Sequence, residues 1–246
     1  MTLPRLIMFD MDDTLISSYR GEPKTVWERT LAPFEAELAN ITVAAAAEAI
    51  FAAAQRFWSD STRHREGRLD LARTRSEITH QGLSAAGIAD RALSAAVSEA
   101  FQTLRDQEMT LFPDAHETLD SLRERGVLLA LITNGQSKMQ RPKIERFALE
   151  HRFEHIQIEE EFGIGKPEPQ SYLNILETFD VAAADSWIVG DNLEWEVAAP
   201  QKLGIHAVWH DHKASGLPPD APAVPDRIIR GLAEILPETT IAKTTA

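Results

Sequence analysis

Five short apolar runs, separated by helical patterns, restrict this chain more than any other feature. They lie at residues 6–9, 127–133, 155–158, 186–190 and 206–209. Several carry apolar residues at consecutive positions, as strands covered on both faces do. Helical patterns fall between them at 115–125, 139–149, 170–179 and 193–203, and Gly126 and Gly204 each stop a helix just ahead of a strand. Strand alternating with helix predicts the α/β class. The expected core is a Rossmann-like parallel sheet in three α/β/α layers with right-handed crossovers.

The alternation breaks once. Between the first and second runs lies a 94-residue segment, 17–110, that reads as almost wholly helical, with candidate helices at 23–38, 42–59, 69–86 and 90–107. It is too long for a crossover and large enough for a bundle of its own. The predicted organisation is therefore a core domain from 1–16 and 111–246, with an all-helical domain, 17–110, inserted after its first strand. After residue 213 the chain is proline-rich (Pro218, Pro219, Pro222, Pro225), then has a short apolar segment at 227–236. Residues 239–246 are expected to fray.

Open parallel sheets bind ligands at the carboxyl ends of their strands. The first run exits into Asp10-Met11-Asp12-Asp13-Thr14, the second into Thr133-Asn134-Gly135, and the fourth into Gly190-Asp191-Asn192; Gly165-Lys166-Pro167 follows the third. These points converge in such a fold. Clustered carboxylates repel one another unless a cation sits among them. With no cysteine in the chain, the donors are oxygens, which suit a hard ion, and magnesium prefers one or two carboxylates with phosphate and water. A lysine, a threonine and backbone N–H groups beside it suit a phosphate. The sequence thus predicts magnesium plus a phosphoryl group.

These four stretches, Asp10-Met11-Asp12-Asp13-Thr14-Leu15, Thr133-Asn134-Gly135, Lys166-Pro167-Glu168-Pro169 and Gly190-Asp191-Asn192-Leu193-Glu194, resemble the ordered motifs of the haloacid dehalogenase-like hydrolase superfamily. The resemblance spans about residues 6–210, and the insertion is similar in position and helical character to the cap of subfamily I phosphatases. It implies Asp10 as the nucleophile that forms an aspartyl-phosphate, and Asp12 as general acid and then base. It implies magnesium held by the Asp10 carboxylate, the Asp12 carbonyl and Asp191. Thr133, with the amides around Asn134 and Gly135, would grip phosphate, and Lys166 would neutralise charge beside Asp10. A halide leaves without a proton whereas an alkoxide needs one, so an acid at Asp12 favours phosphoester cleavage over dehalogenation. Asp13 reads as structural. The motif usually ends in an aspartate five residues beyond Asp191; here Glu196 stands in that place, with Glu194 as the alternative.

The implied activity is hydrolysis of a small phosphorylated metabolite, such as a sugar phosphate, a phosphoglycolate-like acid or a nucleoside monophosphate. A phosphomutase using the same aspartate, or a receiver-like phosphoaspartate module, is the alternative. The formal charge of −13 repels nucleic acid. The first apolar run is too short for an export signal, and 41–58 reads as an amphipathic helix on a core rather than a membrane span. A cytoplasmic protein, monomeric or homodimeric, is expected. Arg63, Arg65, Arg68, Arg73 and Arg75 read as a solvated face or as an anion-binding cap surface. Tyr19, Arg20 and Trp27 either face the leaving group or pack within the cap. His206, His210 and His212 are read as a chance cluster rather than a zinc site, and Trp187, Trp195 and Trp209 as core residues.

Overall fold

The computed structural model describes residues 2–19 and 21–237; Arg20 and the segment 239–246 lie outside the described residues. The chain forms two compact units, Met1–Ile16 with Leu111–Ala246, and Ser17–Thr110. Its strands are β1 (Leu6–Phe9), β2 (Ile16–Ser17), β3 (Thr110–Leu111), β4 (Leu128–Thr133), β5 (His155–Ile158), β6 (Ser186–Gly190), β7 (His206–His210) and β8 (Arg227–Ile229). β2 and β3, where the chain leaves and re-enters the first unit, pair with each other.

The other six make one sheet in the order β5-β4-β1-β6-β7-β8, parallel throughout. β1 lies at its centre, with Phe9 opposite Leu131 of β4 and Val189 of β6. All four β1 residues are fully buried. That explains the unbroken apolar run: Leu6 and Met8 join one cluster with Tyr172, Ile175 and Leu176, while the alternate residue Phe9 meets Phe153 edge-on. The sheet is the expected α/β core flanked by helices. The short apolar segment after the proline-rich stretch supplies a sixth strand, β8, from its first three residues.

In the second unit the helices are α1 (Pro23–Leu31), α2 (Val43–Trp58), α3 (Ser61–Gly67), α4 (Leu71–Ala85) and α5 (Arg91–Glu108). The single helix expected over 23–38 ends at Leu31 and continues as a 3₁₀ segment, Ala32–Leu38. Pro33 is the cause, since it lacks the N–H that an α-helical turn needs. Thr42 caps α2, and Asp90 caps α5 through the N–H groups of Ala92 and Leu93. α2 and α4 approach so closely that a Cβ on Gly82 would stand 2.4 Å from the Ile50 Cα. Trp27 is part of this unit's core: it stacks on Phe101 with ring centroids 3.8 Å apart. Large flat rings contribute most when buried, so packing, not ligand contact, accounts for Trp27. The arginine run is not one face: Arg63, Arg65 and Arg73 are exposed, Arg75 is half-buried and Arg68 is buried.

The first unit's helices are α6 (Ala115–Glu124), α7 (Ser137–Arg146), α8 (Glu159–Phe162), α9 (Pro169–Phe179) and α10 (Ala199–Gln201). The helix expected over 193–203 is instead a wide π-helical turn, Leu193–Ala198, running into α10. Trp187 and Trp209 are buried in the sheet, as core residues, and Trp195 is half-buried. Among the described residues no single helix is long and apolar enough to cross a membrane.

Candidate active site

β1 ends at Phe9, and the next residues fold into a tight loop on the Met11 carbonyl, which accepts from the N–H groups of Leu15 and Ile16 at 3.0 Å. Asp13 takes the left-handed conformation (φ 61°) inside this loop, a geometry that aspartate tolerates well. Asp10, at the strand exit, is 8% exposed. Thr14 Oγ1 donates to its Oδ2 at 3.1 Å and Lys166 Nζ to its Oδ1 at 2.6 Å.

Lys166 is wholly enclosed and also pairs with Glu196 Oε1 at 2.7 Å. The Asn134 side chain positions it from behind: Oδ1 accepts from the Lys166 N–H and Nδ2 donates to the Lys166 carbonyl, both at 2.8 Å. Glu196, rather than exposed Glu194, is the acid inside the cluster. The wide turn at 193–198 folds it back so that its Oε2 accepts from the Asn192 N–H at 2.9 Å. Gly190 makes room for it: a Cβ there would stand 2.0 Å from Glu196 Cγ. Trp209 Nε1 donates to the Asp191 carbonyl at 2.7 Å and anchors that loop.

Three of the sequence-derived residues, Asp10, Lys166 and Asp191, thus fall within one electrostatic cluster. Burial raises the Asp10 carboxyl above its ordinary range; Lys166 opposes this and Asp12 adds to it. Asp191 is held well above the carboxylate range, first by burial and then by the charges of Asp10, Asp13 and Glu196. Burial lifts Glu196 to about 7 against the pull of Lys166. Burial disfavours the Lys166 ammonium, but Asp10 and Glu196 outweigh it and raise its pKa. One lysine therefore faces more acidic charge than it can balance, an arrangement that favours a further cation. Among the described residues no three His, Asp or Glu side chains form a ready-made metal cage. Two carboxylates and a backbone carbonyl suit magnesium nonetheless, since that ion keeps several waters and takes few protein ligands.

Thr133 ends β4 and is 2% exposed. Its hydroxyl accepts from Gln140 Nε2 at 2.7 Å, which leaves the hydroxyl hydrogen for an anion. The Gly135 N–H donates to Glu159 Oε2 at 2.8 Å, so this amide is already engaged within the protein. Asp12 is held by two residues of α7 that the motif reading did not single out, Gln140 and Lys143. Their three-residue spacing just after Thr133-Asn134-Gly135 was the available signal. His210 and His212 come together, with ring centroids 5.6 Å apart, but His206 stands beside Trp187 and Asp226. The three histidines therefore form no common site.

The sequence profile of haloacid dehalogenase-like hydrolases matches residues 4–204. The chain is 33% identical over 249 residues to a phosphoserine phosphatase of Thermus thermophilus, covering 94% of this chain and 97% of that one. Among solved structures, the hydrolase YfnB of Bacillus subtilis, bound to magnesium, superposes with a TM-score of 0.70 at 20% identity, covering 95% and 97% of the two chains. A 2-haloacid dehalogenase from Pseudomonas syringae superposes at 0.58 with 24% identity, over 95% and 96%. These two structures speak for the fold. With the profile match and the near full-length relative, they place the chain in the haloacid dehalogenase-like hydrolase family, as an enzyme of its phosphatase type.

Proposed function

We propose that this protein is a magnesium-dependent hydrolase of small phosphate monoesters that works through an aspartyl-phosphate on Asp10. The observation that carries this reading is Asp12, a carboxyl group two residues from the nucleophile and held by its own donors from α7. Dehalogenation has no use for an acid there, because halide departs as a stable anion. An alkoxide must take up a proton.

In the first step the Asp10 carboxylate forms a bond to phosphorus as the ester P–O bond breaks, and the Asp12 proton passes to the departing oxygen. In the second, Asp12 takes a proton from water, the water oxygen bonds to phosphorus, and the Asp10–phosphorus bond breaks. Lys166 offsets charge on Asp10 and the phosphoryl oxygens, and Thr133 donates its hydroxyl hydrogen to one of them. With Gly135 engaged by Glu159, Asn134 contributes to the grip through its loop and by fixing Lys166. Magnesium, when bound, supplies positive charge to the phosphoryl oxygens; Asp10, the Asp12 carbonyl and Asp191 would hold it, with Glu196 behind them.

The helical unit takes the role of a cap that selects the leaving group. The relative from Thermus thermophilus directs attention to phosphorylated hydroxy amino acids as a first substrate class. The test is a phosphate-release screen over amino-acid, sugar, hydroxy-acid and nucleoside monophosphates, with magnesium and with a chelator. Turnover that needs magnesium is expected; turnover that survives chelation would contradict the reading.

A further inference from the structure

Two residues on α7 touch Asp12 across more than 125 positions of sequence. Lys143 Nζ lies 2.7 Å from Asp12 Oδ1 and 2.8 Å from Oδ2. Gln140 Nε2 lies 2.9 Å from Asp12 Oδ2, 2.7 Å from Thr133 Oγ1 and 2.9 Å from the Asn134 carbonyl. Their three-residue spacing puts both on one face of the helix. Lys143 is only 15% exposed at its side chain, and Gln140 is buried. A carboxamide nitrogen has two hydrogens, and here it shares them among three acceptors, all in the loops that carry the proposed chemistry.

We propose that Gln140 and Lys143 are positioning residues for proton transfer by Asp12. The proposal rests on the phosphatase reading above. A general acid works only when its carboxyl group lies within about 2.6–3.2 Å of the oxygen it serves. Asp12 sits on a loop with a third of its side chain exposed, so its orientation needs outside support. Lys143 donates to both of its oxygens, and one of these bonds opens when Asp12 carries the proton that it delivers. Gln140 ties the same carboxyl group to the Thr133 hydroxyl, so that proton donor and phosphate grip hold a fixed spacing. A misplacement of about 1 Å in such an arrangement costs on the order of 10²-fold in rate.

This role has a signature that a merely structural one lacks. The kcat/KM value reports the steps through departure of the leaving group, and only a basic leaving group needs the Asp12 proton there. The probes are p-nitrophenyl phosphate and unsubstituted phenyl phosphate, which differ in leaving-group basicity and little in shape. For Lys143→Met and Gln140→Leu, kcat/KM is expected to fall roughly 10- to 100-fold with phenyl phosphate. With p-nitrophenyl phosphate the expected fall is under about 3-fold for Lys143→Met and larger for Gln140→Leu, because Gln140 also holds the Thr133 hydroxyl that grips phosphate in either ester; Lys143→Arg, which keeps a charged two-pronged donor, should restore most of the loss seen in Lys143→Met. Equal falls with both esters in Lys143→Met, or no fall with either, would overturn the proposal while leaving the phosphatase reading intact. Failure of the wild-type protein to release phosphate from any ester would overturn both.

Discussion

Lys166 Nζ stands 2.6 Å from Asp10 Oδ1, at the end of a side chain with no solvent exposure. The same ammonium pairs with buried Glu196, so removing it strands two acids at once. Breaking a buried ion pair from one side costs about 3–5 kcal/mol. Lys166→Met is therefore expected to lose roughly that much stability in urea titrations. It should also lose on the order of 10²–10³ in turnover, the usual scale for deleting a preorganised charge from a reacting centre.

Gly190 is required for space rather than for backbone freedom. An alanine Cβ there would overlap Glu196 Cγ, at 2.0 Å, and the turn behind Glu196 is fixed by the Asn192 N–H. Gly190→Ala should destabilise by about 1–3 kcal/mol, the range for forcing atoms into a filled interior. Pairing it with Glu196→Ala should recover part of that loss, which a double-mutant cycle in urea would measure.

Acid sensitivity should come in part from His210. The ring is 1% exposed, and burial, with help from His212, lowers its pKa to about 4. An unfolded histidine titrates near 6.5, so between those values the unfolded chain binds more protons and folding weakens as pH falls. The contribution is complete above about 6.5 and is lost through about 4; between pH 7.5 and 5.0 it amounts to roughly 2 kcal/mol. His210→Gln should flatten the urea midpoint across that window by a comparable amount.

The sheet was legible because strands covered on both faces must be apolar at consecutive positions, as Leu6, Ile7, Met8 and Phe9 are. The break in alternation marked the segment that became the second unit. Asp10, Lys166 and Asp191 were legible as polar residues at strand exits. What tertiary contact alone decides was not. The choice between Glu194 and Glu196 depends on a π-helical turn whose extra residue per turn changes which side chain points inward. Gln140 and Lys143 acquire meaning only when α7 meets a loop well over a hundred residues away. Trp27 looked equally fit for ligand or core until Phe101 stacked on it.

Asp191 should separate stability from metal binding. Its carboxyl is held well above the ordinary range by burial and neighbouring acids, so ionising it near neutral pH works against folding. Without metal, Asp191→Asn should unfold at higher urea than wild type. Magnesium should raise the melting temperature of the wild type and leave the variant nearly unchanged. A variant stabilised by magnesium as much as the wild type would remove this residue from the metal assignment.

Asp10 is the proposed nucleophile, and Asp10→Asn is its decisive variant. The substitution keeps the shape at the end of β1 while removing the negative oxygen that would attack phosphorus. Phosphate release should be measured under magnesium on whichever ester the wild type hydrolyses fastest, alongside circular dichroism to establish that the variant is folded. The expected result is a folded protein with no detectable turnover. A folded variant that still releases phosphate at a substantial fraction of the wild-type rate would contradict the mechanism.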